Sequence, residues 1–229
     1  MGCAASKAPP KRDPVEELIE EVHAQQGRES GGGVTLDLSA APASADAPAG
    51  KLAELGLSLK GKVPDAAWAC VGVLPCVEIN QCVTTLSLKG NHLGSLSPKL
   101  AQLSALRVLD VSENGLTALP EGVAALEALE VLDNRIEVLP ALDLPEFTTL
   151  NAGGNPIKAL PDLSRCPKLR VLIVDDCGLV SVHRSFTPAN HPKLERLVVS
   201  GNPGLDAKAR AKIDVFAATT TANGGWVRG

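Results

Sequence analysis

The 229-residue chain has no tyrosine, one methionine, three phenylalanines and two tryptophans, Trp68 and Trp226. With aromatics at 2% and hydrophobic residues at 45%, any core must be stacked from Leu, Val, Ile and Ala. A net charge of −4 and a pI near 5.6 leave no electrostatic footprint for a phosphate backbone, and base-stacking side chains are nearly absent. Nucleic acid is therefore excluded as a partner. No run of 18 or more apolar residues exists to span a bilayer. The six cysteines (Cys3, Cys70, Cys76, Cys82, Cys166, Cys177) lack paired CxxC spacing, and no secretory leader precedes them. A reducing, cytoplasmic setting without metal or cofactor is expected, with Cys70, Cys76 and Cys82 as small apolar fillers.

What the chain does have is self-similarity. VTTLSLKGNHLGSLSPKLAQLSA from Val83 aligns with LRVLDVSENGLTALPEGVAALEA from Leu106, and 23 residues separate Leu86 from Leu109. LEVLDNRIEVLPALDLPE from Leu129 is a shortened unit, aligned on Leu132 and Asn134 with about three residues missing between them. Units from Phe147, Leu169 and Leu194 follow, so Asn91, Asn114, Asn134, Asn155, Cys177 and Asn202 occupy one recurring place. In each unit the LxL alternation makes a short strand with its leucines on one side. Such a strand is too short to stand alone, but stacked units form a parallel sheet over a continuous aliphatic core. The Asn amide can bond backbone groups that the turn leaves unpaired, and Cys177 is structural there.

These residues resemble the leucine-rich repeat family, and the steps Leu119-Pro120, Leu139-Pro140 and Leu160-Pro161 are similar to its short intracellular type. With the N-terminus included, the chain looks like small N-myristoylated leucine-rich repeat proteins of eukaryotes. The expected fold is α/β: a repeat solenoid with a parallel sheet on the concave face and helical caps at both ends. Residues 1–12 are expected to be an acylated basic tail, and 13–50 a cap helix and flexible linker. A degenerate first repeat or N-terminal cap is placed at 51–82, the repeats at 83–205, and a C-terminal cap helix and tail at 206–229. VTLDLS at Val34 can add a cap strand, and Leu205, Ala209, Ile213 and Phe216 share one helical face.

No catalytic group is assembled by spacing: four histidines stand apart, and GGNP and SGNP lack the Lys-Ser/Thr of a phosphate cradle. The chain is expected to be no enzyme and to take no small-molecule substrate. A solenoid instead offers a surface for another protein. Its concave face is assigned Asp110, Glu113, Asp133, Asp175 and Asp176 as an acidic middle. Val171, Ile173 and Val198 form an apolar strip beside Arg196, while Val131 is placed on the same face.

MGCAASK matches the pattern for N-myristoylation at Gly2, with Ser6 in the required place and Cys3 adjacent for palmitoylation. One myristoyl chain binds membranes only marginally, so a second signal is needed: an acyl chain on Cys3, or Lys7, Lys11 and Arg12 against anionic lipid. The expected protein is an adaptor held peripherally on a cytoplasmic membrane face. The alternative is a soluble structural or regulatory subunit of a larger intracellular assembly, such as a cilium-associated one.

Overall fold

The computed structural model describes residues 34–37, 83–91, 93–96, 100, 103–119, 126–222 and 225–229. Eight strands form one parallel sheet in the order β1 (Val34–Asp37), β2 (Val83–Ser87), β3 (Val108–Asp110), β4 (Ala128–Glu130), β5 (Thr149–Asn151), β7 (Val171–Ile173), β9 (Arg196–Val198) and β10 (Trp226–Arg228). A two-stranded sheet on the opposite side pairs β6 (Ala159–Leu160) with β8 (Ser181–Val182), and α1 (Ala207–Ala222) follows β9. Strands of two to five residues cannot hold their shape alone, so their stability comes from stacking.

The register aligns one leucine from every repeat: Leu86, Leu109, Leu129, Leu150, Leu172 and Leu197, each at most 2% exposed. Two residues on, Leu88, Val111, Val131, Ala152, Val174 and Val199 also point inward, as period-two alternation requires. Their N–H groups donate to the next repeat, from Leu88 to Asp110 O and from Val111 to Glu130 O, both at 2.8 Å.

This register corrects the third unit. Leu129, not Leu132, is the equivalent of Leu109, and Leu129 to Asn134 spans the same five residues as Leu109 to Asn114. The shortening lies on the side of the repeat away from the sheet. Val131, expected on the concave face, is fully buried in the core, and Glu130 takes its place outside.

The asparagines close the turns. Asn134 Nδ2 donates to Val111 O at 2.9 Å and Val131 O at 3.1 Å, while its Oδ1 accepts from Leu116 N at 3.0 Å. Asn114, Asn155 and Asn202 repeat the arrangement, each tying its own turn to the preceding repeat. Cys177 keeps the donor half, Sγ to Ala152 O at 3.3 Å.

At the C-terminus, α1 starts on Asp206, whose Oδ1 accepts from Ala209 N, and buries Ala209, Ile213 and Phe216 on the face foreseen. The expected tail is instead partly a strand. Trp226–Arg228 continues the ladder of β9, with Trp226 N donating to Glu195 O at 2.7 Å. At the other end β2 pairs with β1, so Val34–Asp37 is the cap strand. The helix expected in 13–50 and the unit expected in 51–82 lie outside the described residues, so α1 is the one cap helix among those described.

Candidate functional site: the outward face of the sheet

Residues flanking each inward leucine point away from the core. The row after it reads Asp37, Ser87, Asp110, Glu130, Asn151, Ile173, Val198 and Arg228 along the sheet. Asp110 and Glu130 are direct neighbours on β3 and β4. Half-burial raises the proton affinity of Glu130, the hydrogen bond from Asn151 opposes that, and the Asp110 charge reinforces it. Val171 and Ile173 are half-buried, and Arg196 lies on the Trp226 ring, 5.0 Å from its centroid. Val198 is only 5% exposed, so the apolar strip expected to run to it is closed at that end by the flanking β10.

The other four assigned carboxylates, Glu113, Asp133, Asp175 and Asp176, lie at the turn. One position in all six repeats, just before the Asn or Cys, has positive φ: Gly90, Glu113, Asp133, Gly154, Asp176 and Gly201, between 49° and 73°. Three repeats put glycine there and three put an acid, although a side chain in this conformation costs roughly 1 kcal/mol. The glycines also make room, because a Cβ on Gly154 would collide with the Asp133 carboxylate and one on Gly201 with that of Asp176. Asp175 packs its Oδ1 against Gly153, where it has no hydrogen-bond partner.

Charge pairing separates the two sides of the molecule. On the flank before the strands, Arg107 pairs with Glu127, Arg165 with Asp143, Lys168 with Glu146 and Arg170 with Glu195, each across repeats. Among the described residues, Asp110, Glu130, Asp133, Asp175 and Asp176 form no ion pair, and Glu113 alone of this group has one, to Lys89 at 2.9 Å. The structure thus brings all nine assigned partner-binding residues to one side of the molecule and its adjoining edge. Gly2, Cys3, Lys7, Lys11 and Arg12 lie outside the described residues.

One polar constellation escaped sequence reasoning. Ser185 Oγ stands 2.7 Å from His183 Nδ1 and donates to Asp162 Oδ1 at 2.6 Å, joining two repeats on the side away from the sheet. Ser185 N and Ser164 N also point at these groups. The serine proton is directed at the carboxylate, not at the imidazole, and these bonds hold Asp162 well below the usual carboxylate range. That order is the reverse of an activated nucleophile, where histidine stands between serine and acid. Cys177 is equally unsuited to attack: burial pushes its thiol up to about 11. No group of three metal-ligating side chains occurs among the described residues.

No family profile and no curated protein matches the chain. Among solved structures, a leucine-rich repeat protein of Leptospira interrogans superposes with a TM-score of 0.57 at 22% sequence identity, over 67% of this chain. The chain spans 38% of the length of that protein. The likeness is one of fold, and with the ladder and register above it makes the architecture a leucine-rich repeat-like solenoid with a parallel sheet.

Proposed function

We propose that the chain is a non-enzymatic protein-interaction adaptor whose outward sheet face binds another protein. The observation that carries this is the turn position of positive φ. Glycine serves there in three repeats, yet Glu113, Asp133 and Asp176 hold carboxylates in a conformation that disfavours them. Backbone strain maintained in favour of surface charge is characteristic of functional positions. In the same row Asp110 and Glu130, which form no ion pair, are separated by Asn151 from a half-buried aliphatic patch of Val171 and Ile173. A partner with a basic segment and an aliphatic anchor complements both.

The adaptor is further proposed to sit on a cytoplasmic membrane face. No helix among the described residues is long and apolar enough to cross a bilayer. MGCAASK supplies an acceptor for myristate at Gly2, with Cys3 next to it and Lys7, Lys11 and Arg12 following. A palmitoyl chain on Cys3 adds about 0.8 kcal/mol per buried methylene, and each cation about 1 kcal/mol near anionic lipid. The test is cell fractionation with a labelled fatty acid. Gly2→Ala is expected to abolish uptake of label and move the protein to the soluble fraction; retention on membranes rejects the acyl anchor.

A further inference from the structure

The C-terminal segment closes the last repeat in two places. Helix α1 packs Ile213 and Phe216 on the end of the core, and β10 then returns to flank β9 on the outward face. Arg228 of β10 is the register partner of Val198, which is almost fully buried, whereas Ile173 in the same row is half-open.

A small aromatic cluster, rare in this chain, fastens α1 down. Phe186 lies 4.4 Å from Phe216 between ring centroids, and His191 is 5.4 Å from Phe186 and 6.4 Å from Phe216. His191 is 2% exposed and neither ring nitrogen has a hydrogen-bond partner. A neutral imidazole tolerates this place at a cost; an imidazolium would bring a charge and two donors into a buried site where the Cys166 backbone and Asp162 offset the loss of water only in part. The charged groups around the cluster do little to relieve that. Asp162 on the neighbouring loop attracts the cation, but its Oδ1 already accepts from Ser164 and Ser185. Lys212 of α1, which donates to His183 O at 2.8 Å, brings a like charge to the loop, and Arg184 and Lys193 are exposed to solvent.

We propose that α1 and β10 together form an acid-opened cover over the Val198 end of the outward face, with His191 as its latch. Opening gives His191 access to water and uncovers Val198 beside Ile173 and Val171. Only this consequence rests on the outward face being the binding surface; the opening does not. Burial holds the proton affinity of His191 below the ordinary histidine value of 6.5, against a smaller opposing pull from the Cys166 backbone and Asp162. One proton is therefore taken up on opening. The opening constant rises about tenfold per pH unit as pH falls from about 6.5 to the closed-state value.

Hydrogen exchange by mass spectrometry on the full chain, corrected for intrinsic rates, tests this between pH 7.5 and 5. Protection of 207–229 is expected to fall about tenfold per unit below pH 6.5, with β3 to β7 unchanged, and His191→Phe is expected to abolish the fall. An equal fall in His191→Phe overturns the latch, and equal loss of protection across β3 to β7 overturns the cover. Should that variant not fold, an NMR titration of the His191 ring in the native protein decides. A midpoint at or above the ordinary histidine value of 6.5 overturns the proposal. No partner enters these readouts, so their failure leaves the binding proposal standing and its failure leaves them standing.

Discussion

Asn155 and Cys177 hold the same turn position in consecutive repeats and meet its hydrogen-bonding demand differently. Asn155 Oδ1 accepts from Ile136 N at 3.1 Å. Ile157 N, the equivalent donor facing Cys177, turns to Asn155 O at 2.7 Å instead. A thiol can donate to the carbonyls of the turn but is a poor acceptor, so the backbone of the preceding repeat supplies what sulfur cannot.

Asn155→Ala therefore leaves Ile136 N and the carbonyls of Val131, Ala152 and Gly153 without their amide partner in a buried site. At about 1–3 kcal/mol for an unsatisfied buried group, a loss of about 3 kcal/mol is expected. Asn155→Cys should cost less, because the Cys177 arrangement shows the turn closing around sulfur. Urea midpoints of the two variants measure the difference.

The turn acids give a second comparison. Asp176→Gly removes a side chain from positive φ and should leave stability unchanged or raise it by up to about 1 kcal/mol. Gly154→Ala, at φ 66° with the Asp133 carboxylate against it, should cost about 1–3 kcal/mol. Thermal unfolding of the two variants checks the opposite signs. Equal destabilisation would remove the argument that acid is kept here at the expense of stability.

Glu130 supplies a pH dependence. Its folded proton affinity is raised, so its contribution to stability is fully present below the unfolded value near 4.5 and is lost as pH rises through the folded value. Glu130→Gln keeps an amide against Asn151 without the charge, and should flatten that part of the stability profile. Because the site is half-solvated, the gain at pH 7 is a fraction of 1 kcal/mol. Denaturation midpoints at pH 4, 5.5 and 7 provide the measurement.

Cys166 and Cys177 are buried, and burial raises both thiols. Peptide-level alkylation of the native protein at pH 7.5 should spare both until the chain unfolds. Fast native labelling of Cys177 would reopen a nucleophilic role.

The solenoid is legible because its spacing is redundant: the leucine offset recurs in every unit and asparagine follows at one place in all but the Cys177 unit. The third unit has two possible frames in sequence because Leu129 and Leu132 both satisfy a leucine pattern, and only pairing of Asp110 with Glu130 decides between them. That choice alone exchanged Val131 for Glu130 on the outward face. The strand at Trp226 was not legible, since three residues near a glycine pair carry no strand signal of their own. It forms because β9 offers an open row of backbone groups. The Asp162–Ser185–His183 cluster joins two repeats and the His191 cluster joins a repeat to α1, contacts that periodicity within one unit does not encode.

Capture of a protein partner by the outward face is measured by proximity labelling from the full chain in cells. Three forms are compared: the native chain, Asp110→Asn with Glu130→Gln and Ile173→Lys, and a flank control, Glu146→Gln. The native chain and the flank control are expected to label the same set of proteins, and the face variant to lose members of it. An identical set from all three would contradict capture by this face.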